Sequence, residues 1–197
     1  MPVDPARLNA VGDLVLTEAR ELRALADTLR LTLFDLVRRE GPVATSVLAK
    51  RVDRDRAQVD ENLRELEALA LVERTAWDEG DVVWASDVKG IYFEIPDNDP
   101  ERQLAARQLS NVMLAKYAEL PASWVRDQEP KLQLEWARAA GLFNARIDLT
   151  ASELRGIQQE LERVLEPYTS RASGDAPADA VPVRVLAFFL PEAPANG

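Results

Sequence analysis

Residues 44–73 read ATSVLAKRVDRDRAQVDENLRELEALALVE. Two apolar series run through this stretch, Val47, Leu48 and Val52, then Val59, Leu63, Leu66 and Leu69, each at the three- and four-residue steps of an amphipathic helix. Between them Asp53, Arg54 and Asp55 leave room for a short turn. Asp55 stands where its carboxylate can accept the amide hydrogens of the second helix's first turn, and Thr45 or Ser46 is placed to cap the first helix. Two helices joined so closely, with a further helix packed behind them, form a helix-turn-helix.

The further helix lies just upstream. Residues 17–40, TEARELRALADTLRLTLFDLVRRE, carry Leu22, Leu25, Ala26, Leu29, Leu33 and Leu36 at helical spacing, with a break expected near Asp27 or Thr28 and a stop at Gly41 and Pro42. Downstream, residues 71–86, LVERTAWDEGDVVWAS, read as a β-hairpin turning at residues 78–80. A hairpin directly behind the second helix is the order of a winged helix-turn-helix.

The remainder is more helical. Residues 86–100 read as connecting chain, and residues 101–120 as a helix with Leu104, Gln108, Leu109, Val112, Lys116 and Leu120 along one side, ended by Pro121. Such a helix is expected to pair with a copy of itself or with the amino-terminal helix, and core packing within one chain is the alternative. A short helix follows, then an extended piece at residues 142–149. Thr150 and Glu153 form a capping box, with Leu149 and Leu154 as a hydrophobic staple, for a last helix reaching about Tyr168. After a flexible stretch at residues 170–180, VPVRVLAFFLP suggests a strand at residues 183–190 that pairs with the extended piece at residues 143–147. The expected fold is mainly α with small β: a winged helix-turn-helix domain over residues 1–95 and a helical dimerisation or effector region with a short sheet over residues 96–197.

Composition narrows the chemistry. The 197-residue chain is 47% hydrophobic, enough for a core without covalent staples, and has no cysteine and no histidine. Thiol chemistry, cysteine–histidine zinc sites and histidine-based triads are excluded, so neither enzyme activity, a metal nor a cofactor is expected. No apolar run is long enough for a transmembrane helix, and the amino terminus has no secretory pattern, so a cytoplasmic location away from membranes is expected. The formal net charge is −10. Residues 17–76 hold 11 basic and 12 acidic side chains and are nearly neutral, which puts most of the acidity elsewhere.

Residues 22–73 resemble the winged-helix repressors of the ArsR-like family, whose pattern runs LxALADxxRLxxxxLL, a Gly-Pro turn, ATxxxLAxxL and VxxxLxxLxxxGLV before the wing. Leu22, Ala24, Leu25, Ala26, Asp27, Arg30, Leu31, Leu36, Gly41, Pro42, Leu48, Ala49, Leu63, Leu66, Leu71 and Val72 carry the match. The match covers about a quarter of the chain directly, and the rest is similar to longer actinobacterial-type members. The resemblance implies a DNA-binding, repressor-like transcriptional regulator. The chain departs from it by lacking the cysteines and histidines of the metal-sensing members, and by having an acidic recognition helix (Asp55, Asp60, Glu61) and an acidic wing tip, WDEGD at residues 77–81.

On this reading Arg54, Arg56, Gln58 and Asn62 face base edges in the major groove, and Lys50, Arg51 and Arg64 face phosphates. Leu22, Leu29, Leu109 and Val112 supply a homodimer contact, and the twofold implies a palindromic operator on double-stranded DNA. Two other readings stay open. In one, the winged helix serves as a protein-interaction module meeting a basic partner. Alternatively, Tyr117, Trp124, Trp136 and Phe143 line a pocket for a small-molecule effector, against ordinary core packing of the same aromatics.

Overall fold

The computed structural model describes residues 4–78, 80–169, 171 and 175–192. A short strand β1 (Asp13–Val15) precedes two helices, α1 (Ala19–Leu25) and α2 (Thr28–Glu40), divided at Asp27, whose carboxylate accepts the Arg30 amide hydrogen at 2.9 Å. Gly41 ends α2 at φ 75°, a conformation that costs glycine no Cβ clash. The two-residue strand β2 (Val43–Ala44) then leads into α3 (Thr45–Val52) and α4 (Arg56–Ala68).

The end of α4 is a Schellman turn. The Ala70 amide donates to the Glu67 carbonyl at 2.9 Å and the Leu71 amide to the Leu66 carbonyl at 3.0 Å. This turn puts Ala70 at φ 59°, in the left-handed region, and directs Leu71 back onto the core. Strands β3 (Glu73–Asp78) and β4 (Asp81–Ala85) form the antiparallel hairpin, and β2 adds to it in the order β2-β4-β3, with Val43 opposite Trp84. A helix-turn-helix with a hairpin behind it, on a third helix, is a winged-helix fold, and the chain as a whole is mainly helical with small sheets.

The core explains the order. Leu22 and Leu25 of α1, Leu33, Phe34 and Val37 of α2, Leu48 of α3, Val59, Leu63 and Leu66 of α4 and Trp84 of β4 belong to one buried cluster. Strand β5 (Gly90–Tyr92) pairs in parallel with β1, Leu14 opposite Ile91, inside the segment expected to be plain connecting chain. Helix α5 (Pro100–Ala118) adds Ala105, Ala106 and Leu109 to the same cluster. The cluster therefore crosses the division expected at residues 95–96.

Several expectations need correction. Leu22 and Leu109 are fully buried, because α1 and α5 pack on each other within one chain, and Leu29 packs partly buried against the same cluster, so these three side chains are core rather than dimer surface, whereas Val112 is partly exposed and outside that cluster. Val47 is 40% exposed, since α3 turns Leu48 and Ala49 inward instead. The helix expected to end at Pro121 stops just before it, at Ala118, and Pro121 itself sits in the first turn of a new helix, α6 (Leu120–Asp127), where a missing amide hydrogen costs nothing. After a short helix α7 (Leu134–Ala139), the capping box is present: the Thr150 amide donates to Glu153 Oε2 at 2.8 Å and the Glu153 amide to Thr150 Oγ1 at 3.2 Å, starting α8 (Ala151–Thr169). Neither residues 142–149 nor residues 183–190 form a strand. Arg146 and Glu192 bring the two segments together through an ion pair at 3.0 Å, but no backbone ladder joins them, and Pro182 has no amide hydrogen to offer one. Residues 170 and 172–174 of the expected flexible stretch lie outside the described residues.

Candidate nucleic-acid interface

The turn between α3 and α4 is fixed by short-range bonds. Asp53 takes a left-handed conformation at φ 51°, which aspartate tolerates, and both its amide and that of Arg54 donate to the Ala49 carbonyl. Asp55 accepts the Gln58 amide hydrogen at 2.9 Å, so one of the acids of the recognition helix is its cap. Ser46, Ala49, Lys50, Asp53, Arg54, Asp55 and Arg56 line an open cleft of about 510 Å³ at this turn.

The amino end of α3 is held from a distance. Ala44 offers no side-chain cap there, and neither Thr45 nor Ser46 caps it. Asp81, the first residue of β4, accepts the Ser46 amide hydrogen at 2.8 Å through Oδ2. Its other oxygen accepts the Val82 amide at 2.8 Å and lies 2.9 Å from Arg56 Nη2, which also donates to the Gly80 carbonyl at 3.1 Å. Burial pushes the Asp81 carboxyl up, but the Ser46 and Val82 hydrogen bonds and the Arg56 charge outweigh it and hold the group below its ordinary value. Thr45 serves a different purpose: its hydroxyl donates to the Val82 carbonyl at 3.2 Å and accepts the buried Trp84 indole hydrogen at 2.9 Å, tying helix to wing.

The expected DNA contacts separate into groups. Lys50, Arg54 and Arg56 come together on the cleft; Lys50 has no ion pair among the described residues, Arg54 donates to the Asp53 carbonyl, and Arg56 is anchored on Asp81. The Gln58 side chain is exposed in the first turn of α4. Arg51 points the other way, to Glu40 at 2.6 Å, and Arg64 pairs with Asp60 at 2.5 Å. Asn62 is engaged within the chain at both ends of its amide: it donates to the Gln58 carbonyl at 2.8 Å and accepts from Arg30 at 3.4 Å. At the wing tip, Glu79 and the side chains of Trp77 and Asp78 lie outside the described residues. The sequence reading missed Asp81 as a structural hub; its only local signal was a carboxylate directly after the Gly80 turn.

The aromatic set does not converge on a pocket. Tyr117 donates to Asp35 Oδ2 at 3.2 Å, beside Lys116, whose ammonium lies 3.5 Å from the same oxygen and donates to Thr32 Oγ1 at 2.8 Å. Burial, then the Asp35 charge, pushes Tyr117 up to about 12; for Lys116 burial wins over Asp35 and lowers the ammonium. Trp124 and Trp136 are half-buried, but Phe143 is 94% exposed, so the four side chains do not enclose a common cavity. Among the described residues, no group of three or more acidic side chains is placed to hold a metal ion, and no helix is long and apolar enough to cross a membrane.

These elements define a winged-helix domain whose helix-turn-helix displays a small open cleft lined by three cations, Lys50, Arg54 and Arg56, and two carboxylates, Asp53 and Asp55. A family model described as HVO_A0114 matches residues 25–89, about a third of the chain and the part containing that domain. A solved structure of the multiple antibiotic-resistance repressor MarR from Listeria monocytogenes 4b F2365 is similar at 12% identity, covering 75% of this chain and 81% of that one with a TM-score of 0.30, a likeness too distant to add to the fold read from the elements themselves. No curated protein matches the sequence.

Proposed function

We propose that the chain is a dimeric, sequence-specific transcriptional regulator of the ArsR-like winged-helix kind, repressor-like, acting in the cytoplasm and without catalytic activity. The observation that carries this reading is the cleft at the α3–α4 turn, where Lys50, Arg54 and Arg56 stand together beside the exposed Gln58 at the start of α4. Arginine pairs with guanine and glutamine with adenine edges in the major groove, while lysine at such a turn meets phosphate. Arg56 uses Nη2 for Asp81 and Gly80, which leaves Nε and Nη1 to face a base. Two recognition helices related by a twofold would meet a palindromic operator at half-sites about 34 Å apart.

A selection of genomic fragments by the purified protein at low salt tests this. Enrichment of one palindromic sequence is expected, with Arg56→Ala costing about 1–3 kcal/mol on it and relaxing preference at one position. No enriched sequence, with Arg56→Ala behaving as wild type, would overturn the regulator reading. The second reading, a protein-interaction module, draws on the pairing of Arg51, Arg56 and Arg64 with carboxylates of their own chain, and would then take its place.

A further inference from the structure

Beyond Leu109 no described residue is buried, although the chain there includes α6, α7 and the 19-residue α8. Sixteen of the twenty exposed large apolar side chains among the described residues lie at Leu114 or later, which makes the carboxy-terminal half the uncovered part of the molecule. The exposed surface of the chain is 13863 Å², against about 9,300 Å² for a compact monomer of its mass. The difference, about 4,600 Å² on one chain, exceeds the roughly 1,000–2,500 Å² that each partner of an obligate homodimer buries. A large interface, rather than a small ligand, fits the missing cover.

Helix α8 indicates what the cover is. Leu154, Ile157, Leu161, Val164 and Tyr168 follow one another at steps of three, four, three and four, the a and d positions of a heptad repeat. Ile157, Val164 and Tyr168 are exposed, and Leu154 and Leu161 only partly covered. A seam of this spacing packs against another like it, and the nearest such seam is its own copy. Charge selects the direction. The g positions are Glu153, Glu160 and, near the end of the helix, Pro167, and the e positions are Gln158 and Leu165. An antiparallel pair would set acidic g positions against each other, whereas a parallel pair sets Glu153 against Gln158 and Glu160 against Leu165, with no like-charge contact.

We propose that α8 pairs in parallel with α8 of a second copy, making the carboxy-terminal half the dimer interface. The proposal deepens the homodimer reading above and rests on it. The absence of cysteine from the chain makes a direct test available. Under mild oxidation, Ile157→Cys and Val164→Cys should each form a disulfide-linked dimer with themselves, because d positions face each other across a parallel seam. Ile157→Glu with Val164→Glu should halve the sedimenting mass while circular dichroism still reports a folded winged-helix core, to which α8 contributes no buried residue. Crosslinking of Ile157→Cys only when mixed with Leu161→Cys, an a position, would overturn the parallel arrangement, because an antiparallel seam sets d against a. A wild-type dimer that neither crosslinks nor dissociates in the glutamate variant would overturn the α8 seam and leave the homodimer standing. A wild-type monomer at tens of micromolar would overturn both. Operator selection reads the regulator function separately.

Discussion

Replacing Asp81 tests the link between wing and recognition helix. Asp81→Ala removes the acceptor for the Ser46 amide at the start of α3, a change that costs about 1 kcal/mol at a helix cap. It also removes the partner of Arg56, whose side chain is 55% exposed, so screening leaves that pair at roughly 0–0.5 kcal/mol. The expected loss is about 1–1.5 kcal/mol, or roughly 2–6 °C in melting temperature for a chain of this length. Asp81→Asn keeps one acceptor oxygen for Ser46 but sets an NH2 where Oδ1 accepts the Val82 amide hydrogen and faces Arg56, so it should cost less than Asp81→Ala but more than the charge alone, about 0.5–1 kcal/mol. The pH dependence follows from the direction of the shift. A carboxyl held below its ordinary 3.8 contributes stability that is fully present above that value and is lost as pH falls through the lower folded value, so the gap between wild type and Asp81→Asn should close in acid. Thermal melts by circular dichroism from neutral pH down into the acid range read all of this. Equal losses in the Ala and Asn variants at neutral pH would refute the capping role, since charge alone would then account for the effect. A gap that widened in acid would refute the sign of the shift.

Ala70→Gly should stabilise the fold by about 0.5–1 kcal/mol, seen in urea melts, because Ala70 sits at φ 59° in the Schellman turn, where a Cβ is strained and glycine is not; a destabilised variant would contradict that geometry. In salt titrations of operator binding, Lys50→Ala should lower the slope by about one per protomer. Arg51→Ala should lower it less, because Arg51 is already held by Glu40, and equal effects would count against the placement of the two side chains.

Features set by neighbours in sequence were legible, and features set by distant partners were not. The break at Asp27, the Asp55 cap and the Thr150–Glu153 box each depend on a side chain reaching an amide three residues away, so residue type and spacing decide them. The inward faces of α2 and α4 followed from periodicity for the same reason. Asp81 reaches Ser46 across 35 positions, and in sequence it is just one more acid at the wing. The parallel pair β1–β5 joins three-residue segments too short to show an alternation. Leu109 and Leu22 have the periodicity of an apolar face, but periodicity identifies a buried side without saying whether the cover is the same chain or another. The carboxy-terminal segments show the converse: β-forming composition at residues 183–190 meets no ladder within the chain, since a strand needs a partner as much as a propensity.

The charge of the interface carries the same lesson into function. A net charge of −10 argues against DNA as a partner only if the charges act as an undivided sum. At the α3–α4 turn they do not. Asp55 is spent as a helix cap, Asp81 as a cap and an anchor for Arg56, and Asp60 on Arg64, so much of the acidity near the recognition helix is bound to amides or cations of the same chain. The cations so paired are not free either. When an arginine exchanges a carboxylate for a phosphate it releases little counterion, so its contribution to affinity is smaller than that of an unpaired lysine, and its contribution to specificity, through oriented donors, is retained. On the proposed reading Lys50 and Arg54, the cleft cations with no ion pair among the described residues, would supply the salt-dependent attraction, while Arg56, held by Asp81, would supply discrimination. A regulator with a surface built in this way would bind non-specific DNA weakly and leave a larger share of its affinity to the correct base sequence, so the acidity of the region would become a source of selectivity.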